Sequence, residues 1–281
     1  MKLFLMSIGV FDSGYGGLVV LRELVKQLPE YSYVYLGDNA RAPYGARTPE
    51  EIYQFTLQAV EKLFAEGCEL VILACNTASA NALRRIQQHD LSRYPGKKVL
   101  GILVPTIEQI TGLPWSALHP YPQAINIGVF ATQATVNSHA YKTEILHRNP
   151  QAKVAEVACP ELATLIENGA DEVVLRDCVK QYVDQLRSEL PDVDAVLLGC
   201  THYPLVLEHF VFELPGIPVF DQGQITADAL RAYLSNHPEI EKHLPREGDW
   251  RFLTTAEPEL IEPLATAFFG LPIQYEKVVL S

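Results

Sequence analysis

Short apolar runs recur along the chain at residues 7–11, 33–36, 70–74, 99–103, 126–130, 195–198 and 218–220, each ending in small or polar residues. Between most of them lie longer stretches with helical spacing of apolar positions, such as 49–65 and 175–190. The runs are continuous rather than alternating, which implies burial on both faces and hence a parallel sheet between helices. An α/β architecture follows, and in that architecture ligands bind beyond the C-terminal ends of the strands.

The pattern also repeats. Ile8-Gly9-Val10-Phe11 recurs as Ile127-Gly128-Val129-Phe130, and Leu70-Val71-Ile72-Leu73-Ala74-Cys75 is echoed in the same order by Ala195-Val196-Leu197-Leu198-Gly199-Cys200. Buried strands draw on few residue types, so one match carries little; two in the same order, each ending at a cysteine or a polar turn, predict two related α/β lobes facing one another. The break between lobes is expected in 103–123, where Pro105, Gly112, Pro114, Pro120 and Pro122 interrupt the pattern. The tail beyond about 215 exceeds what a second lobe needs and is expected to return to the first. The expected division is therefore 1–103 with 216–281 against 104–215.

Composition narrows the function classes. The 281 residues are 48% hydrophobic and 20% charged, ordinary for a folded protein, and 22 Lys+Arg against 34 Asp+Glu give a net charge of −12. Such a balance, without a basic stripe, argues against a nucleic-acid backbone or an anionic membrane as partner. The apolar start of the chain is cut by Ser7, Gly9 and Asp12 and reads as a first strand rather than a signal peptide, and no apolar run reaches membrane-spanning length. Five cysteines without a CxxC pair fit neither a disulfide framework nor a zinc finger, so a cytoplasmic setting is expected.

The segment Phe11-Asp12-Ser13-Gly14-Tyr15-Gly16-Gly17 leaves a strand and opens a helix, offering backbone N–H groups to an anion. It lacks the GxGxxG spacing of a dinucleotide site, and a tight turn or a small-carboxylate site remain open. Cys75-Asn76-Thr77 and Cys200-Thr201-His202 each place a thiol between a buried strand and a helix start, a position expected to lower a thiol pKa. Cys68, Cys159 and Cys178 lack that pairing and read as packing residues, Cys159-Pro160 least securely. A Cys/His hydrolase would leave Cys75 unexplained, and a metal site would lack familiar ligand spacing. Two thiols on opposite sides of one carbon suit a racemase, with a thiolate removing a proton from one face and a thiol delivering one to the other.

FDSGYGG, GDNARAPYGAR at 37–47, ACNTASA, IGVFATQATVNSHAY at 127–141, CPELATLIENG at 159–169 and LGCTHYPL at 198–205 together resemble the glutamate racemases of the aspartate/glutamate racemase superfamily. One departure is His139, which stands where the family pattern has glycine; the segment Leu103-Val104-Pro105-Thr106 is another. The resemblance implies a cofactor-independent and metal-free two-base mechanism, with Cys75 acting on D-glutamate and Cys200 on L-glutamate. It implies that Asp12, Asp38, Glu167 and His202 tune the thiols, Glu161 competing with Glu167 for its role. It further implies substrate contacts from Asp12, Ser13, Pro43, Tyr44, Gly45, Cys75, Asn76, Thr77, Thr132, Thr135, Cys200, Thr201 and His202. A role in supplying D-glutamate for peptidoglycan and a homodimer are expected. Racemisation of aspartate or another small acid, and a non-catalytic amino-acid-binding protein, are the alternatives.

Overall fold

The computed structural model describes residues 7–113 and 124–280; the apolar stretch 3–6 and Pro114, Pro120 and Pro122 lie outside the described residues. Strands β1 (Ile8–Asp12), β2 (Tyr33–Gly37), β3 (Leu70–Leu73) and β4 (Lys98–Gly101) join β9 (Trp250–Thr254) and β10 (Tyr275–Lys277) in a sheet ordered β10-β9-β2-β1-β3-β4. Strands β5 (Asn126–Ala131), β6 (Lys153–Ala158), β7 (Ala195–Gly199) and β8 (Val219–Phe220) form a second sheet ordered β6-β5-β7-β8. Every pairing is parallel. The order β2-β1-β3-β4 is repeated as β6-β5-β7-β8, so the two IGVF segments are equivalent central strands and the two cysteines follow equivalent neighbours.

β1, β2, β3 and β7 are buried along their whole length, as continuous apolar runs require. The strand expected at 99–103 ends at Gly101, and a helix, Leu103–Thr111, starts where the apolar run was still unbroken. Pairing also places the return to the first sheet later than residue 216: β8 still bonds to β7, and only after Phe220 does the helix Gly223–Asn236 pack on the helix Gly17–Gln27 of the first sheet. The helix Leu103–Thr111 packs on both Gly223–Asn236 and Ala140–Arg148. One hydrophobic cluster consequently runs from Val10 and Leu21 through Ile107 to Val129 and Leu197, joining the two sheets.

Local signals account for the helix starts. Thr48 and Glu51 form a reciprocal capping box, with Pro49 at the first helical position of Pro49–Ala65. Thr132 caps Gln133–Ser138 by accepting from the Thr135 N–H at 3.3 Å. Cys75 itself caps Asn76–Asn81, its sulfur accepting from the Ala78 N–H at 3.4 Å. A site residue in each sheet thus sits at the strand-to-helix corner that fixes its direction.

Candidate active site

Asp12, 1% exposed, ends β1, and its carboxylate accepts from the Gly14 N–H at 2.8 Å. Burial raises its pKa, against the opposing influence of a charged His202 and of the Gly14 and Gly17 N–H groups. The glycines after it serve close approach. A Cβ on Gly17 would lie 2.4 Å from Asp12 Cβ, and one on Gly16 would lie 2.1 Å from Thr201 Oγ1 and 2.6 Å from His202 Nδ1. Gly16 is therefore where the first helix touches the loop that carries Cys200.

Cys75, 5% exposed, has Ser13 Oγ at 3.4 Å besides the Ala78 N–H. Its pKa is not lowered as the helix start led us to expect. Burial, seconded by the Asp12 charge, pushes it up to about 12, outweighing the contributions of Ser13 and Ala78. Asp38 also departs from expectation. Its fully buried carboxylate is occupied by Arg41 Nε at 2.6 Å, Tyr44 OH at 2.5 Å and Thr255 Oγ1 at 2.7 Å, and it does not line the cleft. It holds Tyr44, which does line it.

On the facing side, Cys200 follows β7, and His202 Nδ1 lies 3.7 Å from its sulfur. His202 Nε2 lies 2.7 Å from Glu167 Oε1, completing a thiol–imidazole–carboxylate chain. Burial alone would lower the His202 pKa; hydrogen bonding and charge from Cys200 and Glu167 prevail and raise it to about 10. Phe268 packs edge-on against the imidazole with ring centroids 5.4 Å apart. Glu161, exposed at the start of the helix Leu162–Glu167, does not reach this chain.

A cleft of about 80 Å³ lies between the two walls, lined by Asp12, Ser13, Pro43, Tyr44, Gly45, Cys75, Asn76, Thr77, Thr132, Glu167, Cys200, Thr201 and His202. Thr135 stands behind it, its hydroxyl 3.0 Å from that of Thr132, which is 2.9 Å from Thr77 Oγ1 in the first wall. The cleft also takes in Gly14, Ala42, Ala46, Cys159, Pro160, Ala163 and Thr164, which sequence reasoning did not single out as site residues. Cys159 and Pro160 fall in the quoted 159–169 segment, so the segment was visible but not the side that it turns to the cleft. All five cysteines are free thiols. A larger hollow of about 680 Å³ lies between the helices Leu103–Thr111 and Gly223–Asn236, but it has no thiol or imidazole on its walls, and size does not select the site. Among the described residues, Glu172, Glu208 and His209 could approach one cation, but none of them lines the cysteine cleft.

Residues 8–230 match the family model described as Asp/Glu/Hydantoin racemase. The chain belongs to this family. A glutamate racemase of Phenylobacterium zucineum is 44% identical over 96% of this chain and 99% of its own. Among solved structures, a glutamate racemase isoform of Bacillus anthracis superposes with a TM-score of 0.85 at 33% identity, over 98% of both chains. The glutamate racemase of Francisella tularensis in complex with D-glutamate also gives 0.85, at 28% identity over 99% of both. These two solved structures superpose over nearly the whole chain and so share its fold, and among the described residues no helix is long and apolar enough to cross a membrane.

Proposed function

We propose that the protein interconverts L- and D-glutamate by a two-base mechanism, Cys200 acting on the L face and Cys75 on the D face. The observation that carries this reading is that two free, buried thiols, at equivalent strand ends of the two sheets, line one small cleft. The near full-length similarity to glutamate racemases supports glutamate over aspartate.

The two thiols have unlike neighbours. Cys75, held near a pKa of about 12, is the proton donor, while Cys200 can pass its proton to His202, whose imidazolium Glu167 stabilises. The Cys200 thiolate then removes the α-proton of L-glutamate, and the Cys75 thiol protonates the opposite face. In the reverse direction Asp12, raised by burial, takes up the Cys75 proton. Ser13, Asn76, Thr77, Thr132 and Thr201 supply neutral donors to the two carboxylates, which a −12 protein could not attract in bulk. Neutral donors also leave the α-ammonium charged, which acidifies the α-carbon. We place Asp38 as the residue that fixes Tyr44 rather than as a proton carrier.

The lobes are assigned as 1–103 with the tail against 104 onward, the return to the first lobe falling after Phe220 because of the β7–β8 pairing. A cytoplasmic homodimer that supplies D-glutamate for peptidoglycan completes the proposal. The test is α-proton exchange in deuterium oxide with protein dialysed against chelator and no added cofactor. Deuterium entering glutamate from both enantiomers supports the reading. Exchange that requires restored metal or pyridoxal phosphate, or none at all, contradicts it.

A further inference from the structure

Behind the cleft, three buried side chains from distant parts of the chain close a ring of hydrogen bonds. Asn76 Nδ2 donates to Gln222 Oε1 at 2.6 Å, Gln222 Nε2 donates to the Tyr141 oxygen at 2.5 Å, and the Tyr141 hydroxyl donates to Asn76 Oδ1. Asn76 directly follows Cys75; Tyr141 belongs to the helix Ala140–Arg148 over the second sheet; Gln222 caps the helix Gly223–Asn236 on which the chain crosses back. Of the three, Asn76 alone lines the cleft.

A ring of two amides and a hydroxyl can run in either sense. In both senses the Asn76 oxygen accepts within the ring, one N–H is spent there, and one N–H remains. The ring thus leaves Asn76 one N–H to donate to the cleft, a match for an anionic carboxylate. Tyr141 does a second job. Its ring fills the space over Gly199, where an added Cβ would lie 3.1 Å from Tyr141 Cε2. Gly199 precedes Cys200 as Asn76 follows Cys75, so one buried tyrosine touches the chain beside both thiols.

We infer that Tyr141 and Gln222 are positioning residues of the racemase, orienting the Asn76 amide toward a substrate carboxylate and bracing the two cysteine-bearing strand ends. Neither touches substrate, and the inference rests on the glutamate reading above. A donor to a carboxylate acts in ground and transition states alike, so loosening it weakens binding more than it slows chemistry.

The experiment is steady-state kinetics with both glutamate enantiomers on the full chain, its Tyr141→Phe and Gln222→Met variants, and the double variant, each with its Tm. Tyr141→Phe keeps the ring over Gly199 and removes only the hydroxyl. The expected result is a KM raised about tenfold in each single variant, with kcat changed by less than about threefold. The double variant should be little worse than either single one, because breaking the ring once releases Asn76. KM unmoved within about twofold in both single variants, or losses that multiply in the double variant, would overturn the inference. So would a fall in kcat with KM unmoved that tracks a lowered Tm, the mark of a merely structural role. A wild-type chain inactive on glutamate in the same assay would instead refute the functional reading, and the inference with it.

Discussion

The two cysteines occupy equivalent places but unlike surroundings. Cys75 is bonded by weak neutral donors and faces a buried carboxylate; Cys200 faces an imidazole backed by Glu167. That difference has a signature in stability. The His202 pKa is raised in the fold from its ordinary value of about 6.5 to about 10. The contribution of its charged form is therefore complete below about pH 6.5 and lost as the pH climbs through 10. Glu167→Gln should lower Tm most near pH 6, with the gap to wild type closing toward pH 10. A gap independent of pH would show that Glu167 does not hold the imidazolium. The sequence motifs made Cys75, Cys200, His202 and Asp12 visible because each sits next to its strand. They could not show that Asp38 is spent on Tyr44, because one of its partners, Thr255, arrives from the other end of the chain. Nor could they show that burial outweighs the helix start at Cys75, since burial is a property of the whole packing.

At the scale of elements, the central strands and the edges β4 and β8 were legible, and the edges β6 and β10 were not. β6 is an edge strand, Lys-Val-Ala-Glu-Val-Ala, buried at Ala155 and Val157 but only half-buried at Val154, Glu156 and Ala158, and β10 has only three residues. Neither gives the continuous apolar run that marks a buried strand. Two joints between elements yield predictions. Gly16→Ala would drive a methyl into Thr201 and the anchored His202, so we expect a loss of turnover of at least about a hundredfold, because a displacement of about 1 Å at reacting groups costs that much. Activity within tenfold of wild type would refute the close approach. His139 joins the helices Gln133–Ser138 and Ala140–Arg148 with φ of 52°, the left-handed region that a glycine would occupy without strain. Its ring also gives Glu156, a side chain only 5% exposed, a partner at 3.0 Å. His139→Gly alone should lower Tm by stranding that carboxylate. In a Glu156→Val background the same change should raise stability, by up to about 1 kcal/mol in chemical denaturation. Equal effects in both backgrounds would exclude the compensation.

For the whole molecule, the repeated strand order makes two near-equivalent halves, each of which brings the cysteine that follows its third strand to a shared cleft. The tail breaks that equivalence. It adds β9 and β10 to the first sheet only, delivers Thr255 to Asp38, and lays Phe268 against His202. The repeat was readable because two buried strands recurred in order with a cysteine after the second. The asymmetry was not, because it depends on where a tail of ordinary composition packs. The central claim is one thiol for each face, and the most direct measurement uses a glutamate analogue carrying chloride on the β-carbon. Removal of its α-proton expels chloride, without any protonation of the opposite face. Cys75→Ser should eliminate chloride from the L-analogue alone, and Cys200→Ser from the D-analogue alone, while neither racemises glutamate at a useful rate. If both folded variants lose elimination from both enantiomers equally, or either retains near-full racemase activity, the assignment of one base to each face is wrong.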